Sequence, residues 1–274
     1  MTPAPTTLPR SATVTPAAPA LTAGERAAFE RDGLLVLRGW SPLDRVEAVR
    51  EASARQLAAR QGPLELEAEV GYPGAPASAT TAGGETVRRL LRACDRGAAF
   101  RTLAALPALG QVLRELMLPP GSTEPVLLAQ AHHNCVMTKM PGFSSATNWH
   151  QDVRYWSYQR PELISAWFAL GSETDENGCL SFIPGTHRMN FGRDRLDDQL
   201  FLRTDLEDNQ ALIASAVAPA LAAGDLVLFH CRLFHAAGRN RTQQTKFSLV
   251  CTYRTADNLP LKGTKSASLE DIEV

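Results

Sequence analysis

The chain has 274 residues, 44% hydrophobic and 21% charged, which is enough to bury a sizeable core in one large domain or two small ones and excludes a wholly disordered protein. Its 28 basic and 29 acidic residues leave a formal charge of −1, so no chain-wide positive field favours a nucleic-acid or membrane partner. No run of about 18 apolar residues is present, the opening segment lacks the basic-then-apolar order of a secretory signal, and the five cysteines are widely spaced without a C-x-x-C, which together predict a reducing, cytoplasmic setting.

Residues 1–20, rich in Pro, Ala and Thr, bury too little apolar surface to offset the entropy of ordering and are expected to be a disordered tail; residues 21–274 are expected to form a single domain. Thr22 with Glu25 three residues on is a capping box for a short helix that Gly33 stops. LLVLRGW (34–40) reads as a first strand, and Ser41-Pro42 opens a second helix that runs to about Arg60, with Ser41 as the expected cap. The Gly- and Pro-containing stretch 71–85 reads as a loop, with the capacity to order as a lid. Residues 86–118 return to helical spacing, with Leu90, Leu91, Leu103, Leu109, Val112 and Leu113 on candidate buried faces.

From about residue 126 the pattern changes to short strands punctuated by turns, predicted at 126–139, 163–171, 179–183, 225–230 and 246–254, with no further helices. Glu176-Asn177-Gly178 supplies a turn between two of them. The whole reads as a β core with flanking helices.

Chemistry concentrates in this second half. His150-Gln151-Asp152 sets an imidazole and a carboxylate on the same side of an extended segment. Six histidines and 13 aspartates in 274 residues produce about 0.3 such triplets by chance, so the triplet alone is weak. His235, just after the predicted strand Asp225–Phe229, completes a two-histidine, one-carboxylate set. Such a facial triad holds Fe(II) and leaves three positions open for oxygen chemistry; zinc or a structural metal is the alternative. On the strand KFSLVCTYR (246–254), Lys246 and Ser248 share a face. If that face looks into the core, the pair can bind the distal carboxylate of a dicarboxylate co-substrate; otherwise Lys246 is a surface residue at a strand start.

WHQDVRYW (149–156), AWFAL (166–170), ENGCLSFIPGTH (176–187), GDLVLF (224–229) and HAAGRNRT (235–242), preceded by LTAGERAAFERDGLLVLRGW (21–40), resemble in order and spacing the phytanoyl-CoA dioxygenase family of Fe(II)/2-oxoglutarate oxygenases. The resemblance implies a mostly β fold, a double-stranded β-helix (jelly-roll, cupin-like) core packed against N-terminal helices. It implies His150, Asp152 and His235 as catalytic iron ligands, 2-oxoglutarate and O2 as co-substrates, and Gln151 and Trp167 as residues of the 2-oxoglutarate pocket. Lys246 stands where the family usually has an arginine, and a lysine offers a point charge where arginine offers a fork. Arg239, Arg241 and Arg254 are the alternatives for that role, and Asn240 is expected to shape a turn.

His230 is the rival third ligand, five residues before His235. His132 and His133 are expected on a strand feeding the site, one of them as a candidate substrate-pocket residue. His187 is given no metal role, Arg154, Tyr155 and Trp156 are near enough to reach substrate, and the cysteines are expected to be buried apolar residues. The implied reaction is hydroxylation of a C–H bond of a small-molecule substrate with release of succinate and CO2; a carboxylate at Asp152, where related halogenases carry a small residue, argues for hydroxylation. A non-catalytic or zinc-holding β-helix protein and an oxygenase acting on a macromolecule are the other classes, and neither substrate identity nor oligomeric state follows from the sequence.

Overall fold

The computed structural model describes residues 20–72 and 75–274, so the expected tail, apart from Ala20, lies outside the described residues. Helix α1 (Ala23–Asp32) starts as the capping box predicts, with Thr22 Oγ1 accepting from the Glu25 amide at 3.2 Å and Glu25 Oε2 accepting from the Thr22 amide at 2.7 Å. Gly33 ends it at φ 70°, where a Cβ would strike the His187 ring at 2.4 Å. After β1 (Leu34–Leu37) comes α2 (Leu43–Ala58). Its cap position falls on Pro42 with no side-chain cap, because Ser41 is buried and its backbone amide is engaged with the Gly224 carbonyl at 2.9 Å.

The expected helical stretch 86–118 is only partly helical. β2 (Leu64–Leu66) and β3 (Val87–Leu91) pair with each other, and Leu90 and Leu91 of β3 lie opposite Val136 and Cys135. Val-Arg-Arg-Leu-Leu is too short and too mixed to carry a decisive period, so pairing with distant strands settles it. Helices α3 (Ala98–Ala104) and α4 (Pro107–Met117) follow. Next come β4 (Val126–Leu128), β5 (Asn134–Lys139), β6 (Thr147–His150), β7 (Ile164–Ala169) and β8 (Leu180–Phe182). The predicted strand 126–139 is thus two strands broken by a turn that holds His132 and His133. A helix does occur late in the chain: α5 (Glu207–Ala214), whose one buried residue is Asn209, so it carries no apolar stripe to announce it. β9 (Leu226–His230), β10 (His235–Ala237), β11 (Lys246–Thr255) and β12 (Ile272–Glu273) complete the chain.

All pairings are antiparallel. The larger sheet runs β1-β9-β7-β11-β5-β3-β2 with β4 and β12 attached at the end of β11, and the smaller runs β6-β10-β8. The two faces of the larger sheet separate by strict alternation. Leu226 and Leu228 of β9, Phe168 of β7, and Leu249, Cys251 and Tyr253 of β11 pack against Val46 and Val49 of α2, Leu103 of α3 and Leu113 of α4. Val227 and Phe229 of β9, Trp167 of β7 and Val250 of β11 face inward and pack with Leu180, Phe182 and Ala237 of the smaller sheet. This is the expected jelly-roll plan of two facing antiparallel sheets without barrel closure, helices outside, and a cavity between the sheets. All five cysteines are free and buried, and no helix among the described residues is long and apolar enough to cross a membrane.

Candidate active site

His150 ends β6 and His235 begins β10, and the two are direct partners across that ladder, so their rings stand 4.2 Å apart between centroids. Gln151 is extended at φ −109° and ψ 134°, which returns Asp152 to the His150 side. The three residues are buried, and their ligand-capable atoms lie within 4.8 Å of one another. Nε2 of His150 and Nε2 of His235 stand 3.8 Å and 3.5 Å from Asp152 Oδ1.

The hydrogen bonds around the cluster assign its tautomers. His150 Nδ1 donates to the Asn148 carbonyl at 2.8 Å and His235 Nδ1 to the Leu233 carbonyl at 3.0 Å; a carbonyl only accepts, so in the neutral rings Nε2 is the nitrogen that carries the lone pair. Burial pushes the His150 imidazole well below its ordinary pKa, which keeps it neutral. Burial alone would raise Asp152, but His133, His235 and His150 together with the Ser165 hydroxyl hold its carboxyl below the usual range. Asp152 Oδ2 accepts from Ser165 Oγ at 2.9 Å, whereas Oδ1 is buried with no partner. An orphaned buried carboxylate oxygen facing two imidazole lone pairs fits a cation, and the donor set is that of a facial triad.

His230 stands elsewhere. It shares the outer face of β9 with Leu226 and Leu228, approaches His187 at 5.3 Å between ring centroids, and lines a separate cleft of about 470 Å³ with Phe29 and Leu116. His187 Nε2 is hydrogen-bonded to the Glu30 carbonyl at 3.2 Å, and His132 Nε2 to Ser266 Oγ at 2.7 Å. His133 comes closest, with Nδ1 3.4 Å from Asp152 Oδ2. It borders a second cavity of about 460 Å³ that adjoins the triad and is lined by Tyr72, His132, Arg154, Tyr155 and Trp156. Of the 71–85 loop, Gly71 and Tyr72 reach this cavity, while Pro73 and Gly74 lie outside the described residues.

At the other end of the space between the sheets, Trp167 and Lys246 line the same narrow cavity as His150 and His235. Lys246 Nζ donates to Glu173 Oε2 at 2.8 Å and to Ser248 Oγ at 3.3 Å, and Ser248 Oγ donates to Glu173 Oε1 at 2.6 Å. The Trp167 indole donates to Glu173 Oε1 at 3.0 Å. Lys246, Ser248 and Trp167 are therefore brought together on a buried acid. Gln151 is not brought to this cavity; its amide donates to the Arg232 carbonyl. Nor are the alternative arginines. Arg241 pairs with Asp175 at the surface at 2.7 Å, Arg254 with Asp271 at 2.6 Å, and Arg239 is exposed. Asn240 shapes its turn as expected, bridging the Lys139 and Gln244 carbonyls at 2.7 Å each.

Three cavity residues escaped the sequence reading: Glu173, Lys139 and Arg89. Lys139 was findable, since it alternates with Cys135 and Met137 on β5. Glu173 was not, because Ser-Glu-Thr-Asp-Glu-Asn (172–177) looks like a solvated acidic turn.

A family model described as phytanoyl-CoA dioxygenase matches residues 29–248. Human peroxisomal phytanoyl-CoA dioxygenase is 29% identical over 153 residues, which are 51% of this chain and 44% of that protein, so the match spans less than half of that relative's length. Ectoine dioxygenase of Sphingopyxis alaskensis is 27% identical over 255 residues (87% of this chain, 77% of that protein), and L-proline trans-4-hydroxylase of Streptomyces griseoviridis is 26% identical over 247 (81% and 84%). Among solved structures, EctD from S. alaskensis with bound Fe superposes with a TM-score of 0.70 at 24% identity, covering 92% of this chain and 83% of that one. The epimerase SnoN from nogalamycin biosynthesis superposes at 0.66 with 22% identity (85% and 80%). These two share the fold.

Proposed function

Because the chain belongs to the phytanoyl-CoA dioxygenase family, we propose that residues 21–274 act as one Fe(II)- and 2-oxoglutarate-dependent dioxygenase domain that hydroxylates a C–H bond of a small molecule, with release of succinate and CO2. The observation that carries this reading is the buried set of two imidazole lone pairs and one unpartnered carboxylate oxygen at His150, His235 and Asp152. Fe(II) held there would supply O2 activation coupled to decarboxylation of the 2-oxo acid.

The chain's own contribution is binding, orientation and exclusion of water. The Asn148 and Leu233 carbonyls hold the two imidazoles in the ligating tautomer, and Ser165 engages Asp152 Oδ2 so that Oδ1 would be free to hold the ion. Phe229 and Phe182, with ring centroids 4.9 Å and 6.2 Å from His235, keep one side dry. Lys246 would hold the distal carboxylate of 2-oxoglutarate, with Trp167 as the wall between, while Ser248, whose one hydroxyl proton goes to Glu173, would fix the counter-ion of that lysine. The cavity beside His133 is of small-molecule size, and the relatives named for ectoine and L-proline support a small-molecule substrate for this chain. Five unpaired buried thiols favour a reducing, cytoplasmic setting. Succinate release from purified Fe(II)-loaded protein, screened against a metabolite library, tests the reading; a substrate that stimulates succinate formation is the expected result. Stoichiometric Zn(II) retention with no 2-oxoglutarate turnover would contradict it.

A further inference from the structure

The chain has 28 basic residues, only four of them lysines, and two of those four, Lys139 and Lys246, are buried against the same cavity. They are direct partners across β5 and β11, so their side chains leave one face of the sheet from Cβ atoms about 5 Å apart. Lys246 is already paired. The wholly buried Glu173 accepts from Lys246, Ser248 and Trp167 on both its oxygens, which makes it a permanent counter-ion rather than a placeholder. Lys139 has no such partner: its ammonium donates to the Ser145 carbonyl at 3.1 Å and to the Gly238 carbonyl.

The acids nearby are committed to other cations. Glu67 is bound to Arg88 at 3.2 Å and to Ser145 Oγ at 2.6 Å, and Glu65 to Arg89 at 3.2 Å. Three carboxylates, Glu65, Glu67 and Glu173, thus face four cations, Arg88, Arg89, Lys139 and Lys246, and the surplus charge sits on Lys139. Each ammonium has three N–H groups. Two are spent in each lysine, leaving one apiece for the two oxygens of a single carboxylate, the function an arginine fork performs alone.

We propose that Lys139 sets the co-substrate class of this site: with Lys246 it holds the distal carboxylate of a 2-oxo dicarboxylate, while Glu173 stays in place as the counter-ion of Lys246. This rests on the iron and 2-oxo acid reading above. Without the charge on Lys139, the incoming carboxylate would share one lysine with Glu173, and the pocket would favour a 2-oxo acid with an uncharged tail. Burial, with Arg88 and Lys246 adding to it against the pull of Glu67 and Glu173, brings Lys139 down to about 7 before any ligand arrives. Binding a dianionic 2-oxo acid therefore draws in a proton above that pH, and binding a monoanionic one does not. Affinity for the dicarboxylate falls by up to about tenfold per pH unit above 7 until the raised pKa of the occupied state is reached.

The test is an anaerobic titration of the whole Fe(II)-loaded chain with 2-oxoglutarate and with 2-oxopentanoate, which has the same carbon chain and no distal carboxylate. Visible charge-transfer absorption of the chelate reads binding at pH 6.5 and 8.5. The ratio of the two dissociation constants cancels whatever the metal end contributes. We expect wild type to prefer 2-oxoglutarate by at least about 100-fold at pH 6.5 and to lose about tenfold of that preference at pH 8.5. Lys139→Met should lose about 10- to 100-fold of the preference at pH 6.5, show no further change with pH, and keep its 2-oxopentanoate affinity. An unchanged preference in Lys139→Met overturns the proposal and leaves Lys139 as a tether for two carbonyls. A variant that loses both ligands has lost its fold, and the wild-type pH arm then decides: a preference constant from pH 6.5 to 8.5 overturns the proposal. Absence of the absorption with both ligands in iron-loaded wild type overturns the reading of the site as well.

Discussion

The two ends of the inner cavity are built on opposite electrostatic plans. At one end His150 and His235 flank a single anion, Asp152, whose Oδ1 has no partner; at the other, Lys246, Ser248 and Trp167 saturate a single anion, Glu173, and Lys139 stands by without a carboxylate of its own. The first end lacks a cation and the second has one to spare. A molecule with a chelating keto acid at one terminus and a carboxylate at the other answers both, and the difference separates the residues that should control iron from those that should control the co-substrate.

The largest expected effect lies at the first end. His150→Ala, Asp152→Ala and His235→Ala should each abolish 2-oxoglutarate turnover measured as succinate, and His230→Ala, on the outer face of β9, should leave it intact. Loss of turnover in His230→Ala with retention in His235→Ala would mean that a strand register is wrong.

At the second end, Lys246→Ala should raise the apparent KM for 2-oxoglutarate by roughly one to two powers of ten with Fe(II) affinity unchanged. It should also lower stability by about 3–5 kcal/mol, because Glu173 is left buried without its cation; denaturant unfolding of the apo protein reads this directly. Lys246→Arg should retain part of both. An unchanged KM in Lys246→Ala would dissolve the contrast between the two ends.

A smaller change sharpens the contrast from the metal side. Ser165→Ala removes the hydroxyl that orients Asp152 Oδ2 and should weaken Fe(II) binding by about tenfold while the preference between dicarboxylic and monocarboxylic 2-oxo acids stays as it was. Equilibrium dialysis against a competing chelator measures the first quantity. The smallest effect lies outside the cavity: Thr22→Ala breaks the capping box of α1 and should cost about 1 kcal/mol in unfolding free energy, with no change in Fe(II) binding.

The same contrast marks what could be read from the sequence. The metal end was legible because its residues sit on short extended segments with a two-residue spacing and a strand-terminal histidine, and the inward face of β11 was legible from the alternation of Lys246, Ser248 and Val250. Glu173 lay hidden because its role depends on a loop after β7 folding back over β11, a non-local event with no local period. Likewise β3 was mistaken for helix because Val87–Leu91 is too short to show its period, and α5 was missed because it buries a single polar residue. His132 and His133 were expected on a strand and lie in a turn between β4 and β5, where no period marks a break.

The central claim is that His150, Asp152 and His235 form one iron site. Calorimetric titration of the apo protein with Fe(II) under anaerobic conditions tests it most directly. One ion should bind per chain in wild type and in His230→Ala, and none with comparable affinity in Asp152→Ala. Equal stoichiometry and affinity in wild type and Asp152→Ala would contradict it.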